Sequence, residues 1–90
     1  MFTVAWSKDA QGRLINIWIK ANSVDRRELT STVALLDKHL RANADRIGES
    51  REDESLRFVA TGLLGIEFQV SEQDRLVIVL RAWIVPSRKN

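Results

Sequence analysis

The run from Arg75 to Val85 constrains the fold more than any other part of the sequence, because nine of its eleven residues are apolar. It is too short to span a membrane. It also lacks the two-residue alternation that would leave one face of a strand in water. Such a run is typical of a central strand that is covered on both sides. Within it, Arg81 places a charge where a core side chain is expected.

Length and composition indicate one globular domain spanning residues 1–90. The chain is 44% hydrophobic and 29% charged, which is typical of a folded domain rather than a disordered segment. It has no cysteine, so disulfides and thiolate metal sites are excluded, and the chain is compatible with a reducing cytoplasm. No apolar run has membrane-spanning length, and the first residues lack the pattern of a signal peptide.

The charge distribution argues against a broad nucleic-acid-binding face. The net charge is +2, and the pI of about 9.5 overstates it, because without tyrosine and cysteine few groups titrate at intermediate pH. We interpret the acidic segment from Glu49 to Glu54 as a solvated loop. Beyond Arg81, the chain ends in a basic tail with Arg88 and Lys89, for which contact with an acidic partner or nucleic acid is the alternative to a simple soluble tail.

The periodicity of apolar residues predicts most of the secondary structure. Residues 2–6 alternate as a strand, and residues 24–44 form an amphipathic helix. Two further strands, over 56–60 and 64–70, precede the final apolar run and form a three-stranded meander with it.

Residues 8–21 support two interpretations. Apolar side chains recur at helical spacing from Ala10 to Ala21. A turn around Gly12 followed by alternating isoleucines would instead give a hairpin and a second strand, and a glycine costs a helix about 1 kcal/mol. Local sequence leaves helix and strand open.

The order of these elements, with particular residues in it, resembles the RelE/ParE superfamily of small bacterial toxins. The matching stretches extend over nearly the whole chain and are Val4-Ala5-Trp6-Ser7, Ile47-Gly48-Glu49-Ser50-Arg51, Gly65–Val70 and Val79–Trp83. The last of them is similar to the final strand of the ParE-like, plasmid-stabilisation branch. The resemblance implies a helix over 8–21. The expected fold is therefore α+β with the order β-α-α-β-β-β, in which a helical hairpin packs on one face of a mostly antiparallel four-stranded sheet.

The same resemblance implies a toxin-like component of a type II toxin–antitoxin system in the bacterial cytoplasm. Some members of the superfamily are ribosome-dependent mRNA endonucleases, and others act on DNA gyrase. Both kinds are silenced by an antitoxin that wraps the toxin with a helix and an extended segment. A relative that has kept the fold and lost the activity is a third possibility, since fold does not determine function.

The residues favour protein binding over ribonuclease chemistry, which needs a proton acceptor, a proton donor and cations for the phosphate. The third-strand arginine of such nucleases falls at Gly65, the chain has no tyrosine, and its only histidine, His39, lies in the second helix. Weak catalytic candidates remain in Arg57, Glu67 and Arg81. We therefore expect no enzyme activity, cofactor or metal, with the endonuclease as the alternative.

An apolar patch on the first helix is the first predicted partner-binding surface. Ile15 and Ile19 lie off the main apolar stripe of that helix. If both are exposed, they form a patch suited to a partner helix, which in this superfamily would be the antitoxin.

The sheet face turned away from the helices is the second predicted surface. Arg57, Arg81 and Trp83 are expected to meet there, since Arg81 and Trp83 point the same way on one strand. An arginine beside a tryptophan is typical of interface anchors. A cross-strand ion pair with Glu67 is the alternative role for Arg81, and a place at the rim of the core is the alternative for Trp83. The basic tail would extend this surface with Arg88 and Lys89.

Overall fold

The structure is a computed structural model that describes residues 1–47, 49–50 and 55–85. Its elements in chain order are β1 (Thr3–Trp6), α1 (Lys8–Lys20), α2 (Ser23–Asn43), β2 (Glu49–Ser50), β3 (Leu56–Thr61), β4 (Leu64–Ser71) and β5 (Leu76–Ile84). The ambiguous segment is therefore a helix, as the family resemblance implied.

Capping and packing explain why α1 forms despite its glycine. The Ser7 hydroxyl oxygen accepts a hydrogen bond from the Ala10 N–H at 3.0 Å, which satisfies one of the free donors at the helix start. The same hydroxyl donates to the Leu80 carbonyl at 3.2 Å, so the cap also joins the helix to β5. Ala10 is completely buried, and a methyl group at Gly12 would meet no atom within 4 Å. Tertiary contact thus favours the helix over the hairpin.

The second helix follows its predicted pattern closely. Asn22 caps it by accepting from the Asp25 N–H at 2.8 Å. The buried face of this amphipathic helix includes one polar residue beside its leucines: its members are Leu29, Thr32, Leu36 and Leu40.

The sheet has the order β1-β5-β4-β3-β2. β1 runs parallel to β5, and the other neighbours are antiparallel. The predicted α+β fold with a mostly antiparallel sheet is confirmed. The two-residue strand β2 adds to the four predicted strands, and the prediction of a loop was wrong for these two residues, because their backbones pair with Phe58 and Arg57 of β3. Residues 51–54 of that predicted loop lie outside the described residues.

The core lies between the helical hairpin and one face of the sheet. Phe68 and Ile66 of β4 and Val77 and Val79 of β5 are completely inaccessible there. The opposite face carries the exposed Arg81. The expectation that the final strand is covered on both sides was therefore wrong for its second half.

A β-bulge divides β5 into two parts. Phe68 lies opposite Val79, whereas the adjacent Glu67 lies opposite Arg81, so Leu80 is an extra residue on β5. Because side chains alternate between faces, one extra residue exchanges the faces of all that follow. The bulge therefore places Ala82 in the core and turns Arg81 to the open face.

Candidate partner-binding surfaces

An apolar groove runs between the two helices on their outer side. Its volume is about 310 Å³, and it is lined by Leu14, Ile15, Trp18, Leu29, Thr30 and Val33. Ile15 is 58% exposed and Trp18 is 44% exposed. Large apolar side chains thus remain in water along a concave surface, as is typical of a protein-binding site.

Arg26 of α2 holds Trp18 in place. Its Nε and Nη2 atoms donate to the Trp18 and Ile19 carbonyls at 2.8 and 2.9 Å. Its guanidinium carbon lies 4.4 Å from the centroid of the Trp18 ring. One side chain therefore satisfies carbonyls at the end of α1 and stacks on the indole that forms a wall of the groove. No local pattern in the sequence indicated this contact.

The two isoleucines predicted on α1 are both exposed, at 58% each. Ile15 lies in the wall of the groove. Ile19 follows one helical turn later and continues the exposed apolar row past the groove. Trp18, which lies between them in the sequence, belongs to the same exposed apolar surface. The partner-binding role of Ile15 and Ile19 stays a prediction.

On the open face of the sheet, Arg81 forms the ion pair that was given as its alternative role. Its Nε atom lies 3.1 Å from Oε1 of Glu67, directly across the β4–β5 ladder. The Arg81 side chain is 67% exposed and that of Glu67 only 15%. Because the arginine remains largely in water, the pair contributes little to stability. It leaves most of the guanidinium accessible to a partner.

Trp83 lies flat over Gly65 on the same face. The two residues are opposite each other on β5 and β4, and a methyl group on Gly65 would lie 2.5 Å from Cε2 and Nε1 of the indole. The glycine is therefore needed to let the ring approach the backbone. This packing also fills the space where a side chain at position 65 would stand.

Arg57 does not join Arg81 and Trp83, so the expected meeting of the three was wrong. Arg57 lies opposite Phe68, and side chains of directly opposed residues share a face. It therefore lies on the helix side of the sheet, where its Nη2 atom donates to the Asp45 carbonyl at 3.1 Å. Arg88 and Lys89, the remaining predicted contacts, lie outside the described residues.

The weak catalytic candidates are divided between the two faces, since Arg57 lies on one and Glu67 and Arg81 on the other. His39 is exposed on α2. Within residues 1–47 and 55–85, no cluster of three histidine, aspartate or glutamate side chains is placed to hold a metal ion. Nor does this part of the chain contain a helix long and apolar enough to cross a membrane.

Comparison with solved structures shows the same fold in several bacterial proteins. A chain of the toxin–antitoxin complex RelBE2 from Mycobacterium tuberculosis has a TM-score of 0.74 at 18% identity, covering 96% of this chain and 93% of its own. A chain of the chromosomal ParDE system of P. aeruginosa has a TM-score of 0.68 at 16% identity, with coverages of 96% and 98%. The isolated E. coli RelE toxin has a TM-score of 0.62 at 15% identity, with coverages of 99% and 89%.

No protein-family model matches this sequence, and no curated protein matches it significantly. At identities of 15–18%, the likeness lies in the backbone architecture. It places the helical hairpin and the sheet in a fold shared by chains from both RelE- and ParE-type systems.

Proposed function

We propose that this chain, which has the RelE/ParE toxin fold, is the toxin-like component of a type II toxin–antitoxin system and acts by binding a protein target of the gyrase type. The observation that carries the proposal is the apolar groove across the helical hairpin of that fold. A surface of this kind is unfavourable in water and suits a partner that covers it.

The proposed occupant of the groove is the helix of a cognate antitoxin. Leu14, Ile15 and Trp18 offer apolar contacts spaced along one side of α1, which is the pattern by which a groove receives an amphipathic helix. Burying one large apolar side chain contributes about 1.5–3 kcal/mol. Two or three such contacts account for tight binding when their positions are held in advance, as Arg26 holds Trp18.

The proposed target-binding surface is the open sheet face around Arg81 and Trp83. Arginine and tryptophan are over-represented among residues that dominate interface energetics. On this face, Gly65 offers no functional group, and Trp83 covers it. Glu67 is largely buried under its ion pair with Arg81. These features support protein binding over mRNA cleavage, which is the alternative function.

The antitoxin part of the proposal is tested by Ile15→Asp, which puts a charge into the groove. Val24→Asp is the matched control, because Val24 is 68% exposed on α2 and does not line the groove. The chain is expressed in bacteria alone and together with the short reading frame encoded beside it. We expect growth arrest by the chain alone and rescue by the second protein.

We expect I15D to lose this rescue, because burying an uncompensated carboxylate is costly, and V24D to retain it. Calorimetric titration of the two purified proteins should show the same order, with the binding affinity of I15D reduced about tenfold or more. Ile19→Asp tests whether the surface extends beyond the groove. Unchanged affinity in both I15D and I19D, with the fold intact, would remove the groove from the proposal.

The target is distinguished by two assays on the purified chain. Inhibition of gyrase supercoiling, weakened by Arg81→Ala or Trp83→Ala, is the expected result. Codon-specific cleavage of mRNA on translating ribosomes would instead establish the endonuclease and overturn the binding mechanism.

A further inference from the structure

A row of three apolar side chains lies on the open face of the sheet. Leu76, Ile78 and Leu80 alternate with Val77 and Val79, which are completely buried on the helix side. Because successive side chains of a strand point to opposite faces, the three project from the open face. Each of them is only half-buried. The beginning of β5 therefore keeps a straight apolar row partly in water.

Small or uncharged side chains border this row on both sides. Across the β1 ladder, Thr3 and Ala5 lie opposite its first two members. Across the β4 ladder, Ser71 and Gln69 lie opposite the same two. Directly opposed residues share a face, and Thr3, Ala5 and Gln69 are exposed. The face is therefore accessible around the row, and these four neighbours add no charge to it.

The two ends of the row carry opposite charges. At its first end, the Ser71 hydroxyl donates to Oδ2 of Asp74 at 3.3 Å, which holds the exposed carboxylate on the open face. At its other end stands Arg81, whose side chain is 67% exposed although its Nε atom pairs with Glu67. Among the described residues, no cation forms an ion pair with Asp74. The row therefore runs from an acidic end to a basic end.

Arg75, the next residue after Asp74, does not cancel the acidic end. Its guanidinium carbon lies 4.1 Å from the centroid of the Phe2 ring, and Phe2 is buried in the core. Because the core lies on the helix side of the sheet, this contact directs the guanidinium away from the open face. The Asp74 carboxylate thus remains accessible to a cation from outside.

We propose that the open face binds a second copy of this chain, with the two β5 strands antiparallel across a two-fold axis. In such an isologous contact, the same surface of both copies is used and each unlike pair forms twice. With the axis at Ile78, this side chain packs on its own equivalent. Leu76 packs on Leu80 of the second copy. Asp74 faces Arg81 of the second copy.

Charge complementarity selects a second copy in this orientation. Reversing the row about its midpoint exchanges the two leucine positions and brings each charged end onto the opposite charge. Two copies in parallel orientation would instead place like charges together, which is unfavourable. Arg81 lies closer to the midpoint than Asp74 does, and its long side chain spans the difference. The surface is therefore complementary to itself in charge as well as in apolar character.

This surface is separate from the groove proposed for the antitoxin helix, because that groove lies on the outer side of the helices and the row lies on the opposite face of the sheet. Arg81 also belongs to the proposed target-binding surface. A consequence that rests on the proposed function is therefore that the dimer and the target compete for this face. The dimer itself does not depend on that function, and its test uses the chain alone.

Self-association is measured by sedimentation equilibrium of the purified chain from micromolar to millimolar concentration, and we expect a monomer–dimer equilibrium. Ile78→Thr keeps a β-branched side chain in the strand and removes apolar contact at the axis. We expect I78T to raise the dissociation constant of the dimer about fivefold or more. Leu35→Gln is the matched control, because it replaces an apolar side chain that is 49% exposed on α2. It should leave the dissociation constant unchanged.

Asp74→Lys and Arg81→Glu test the charged ends with substitutions at exposed positions. Each variant alone should dimerise about fivefold or more weakly than the unchanged chain, because like charges then meet at both ends of the row. In an equimolar mixture of D74K and R81E, both charge contacts of the mixed dimer are attractive. The mixture should therefore regain association, and native mass spectrometry should show the heterodimer in excess over both homodimers. Circular dichroism checks that each variant keeps its fold.

A chain that stays monomeric at millimolar concentration would overturn the proposal, and so would a mixture of D74K and R81E that associates no better than either variant. Loss of the dimer in I15D with retention in I78T would place the interface on the helices instead. Nuclear Overhauser contacts between residues 86–90 and the Ile78 methyl groups in a monomer would identify the end of the chain itself as the occupant of this face, and would equally overturn the proposal.

Discussion

The two halves of β5 have nearly the same apolar character and different surroundings. From Leu76 to Val79 the strand lies between β1 and β4, and Val77 and Val79 are completely buried. From Arg81 to Ile84 the described part of the chain places β4 alone beside it, and both of these end residues are exposed. The first half is a structural centre of the sheet, whereas the second presents Arg81 and Trp83 on the open face while Ala82 stays in the core.

The bulge at Leu80 produces this difference. Without an extra residue, Arg81 would follow Val77 and Val79 onto the core face. With it, Arg81 and Trp83 project from the open face while Ala82 replaces them in the core. Bulges commonly redirect side chains beside functional sites. A strand of high hydrophobicity can therefore be central in one half and a binding surface in the other.

The largest expected effect comes from changing the number of residues around the bulge. Deleting Ala82 forces either Arg81 or Trp83 onto the buried face, and we expect loss of cooperative unfolding, because an uncompensated buried charge or an oversized ring is not accommodated. Deleting Leu80 instead leaves Arg81 opposite Glu67 and Val79 opposite Phe68 in an unbroken ladder. That variant should unfold cooperatively in denaturant titrations. Loss of the fold in the Leu80 deletion alone would contradict the assigned role of the bulge.

An intermediate effect is expected at Gly65. Gly65→Ala places a methyl group 2.5 Å from the Trp83 ring, and we expect a loss of about 1–3 kcal/mol in the free energy of unfolding from overpacking. Adding Trp83→Ala should make the glycine substitution nearly neutral, so a double-mutant cycle isolates the contact. Equal costs of G65A with and without the tryptophan would show that the indole does not lie over Gly65 in solution.

The smallest effect is expected for the ion pair across the second half of β5. Glu67→Gln and Arg81→Gln, combined in a double-mutant cycle, should give a coupling of less than about 1 kcal/mol, because the arginine is 67% exposed and solvent screens the interaction. The coupling should fall further with added salt. A coupling of several kcal/mol, insensitive to salt, would mean that Arg81 is held for stability rather than left available for binding.

Much of the fold was predictable because each element buries a clear pattern. The alternation of apolar residues in β4 fits only a strand, and the apolar stripe of α2 fits only a helix. The segment 8–21 was different, since its local pattern suited helix and strand equally. The serine cap and the burial of Ala10 against the sheet decided it, and neither is visible without the tertiary structure.

The candidate surfaces were predictable only in part. Exposure of Ile15 and Ile19 followed from their position off the helix stripe. Arg57 was placed on the wrong face because the register of β3 against β4 depends on the turn between them. That turn pairs Thr61 with Leu64 and has Gly62 at a φ of +58°, which sets Arg57 opposite Phe68.

By itself, the sequence determined that the final apolar run would be the centre of an α+β domain, because so much apolar surface must leave water. Only the tertiary structure decided where that centre ends. The short β1 leaves β4 as the one described strand beside the end of β5, and the extra residue at Leu80 turns Arg81 to the open face. These are relations between elements distant in sequence, which hydrophobic periodicity along one segment does not specify.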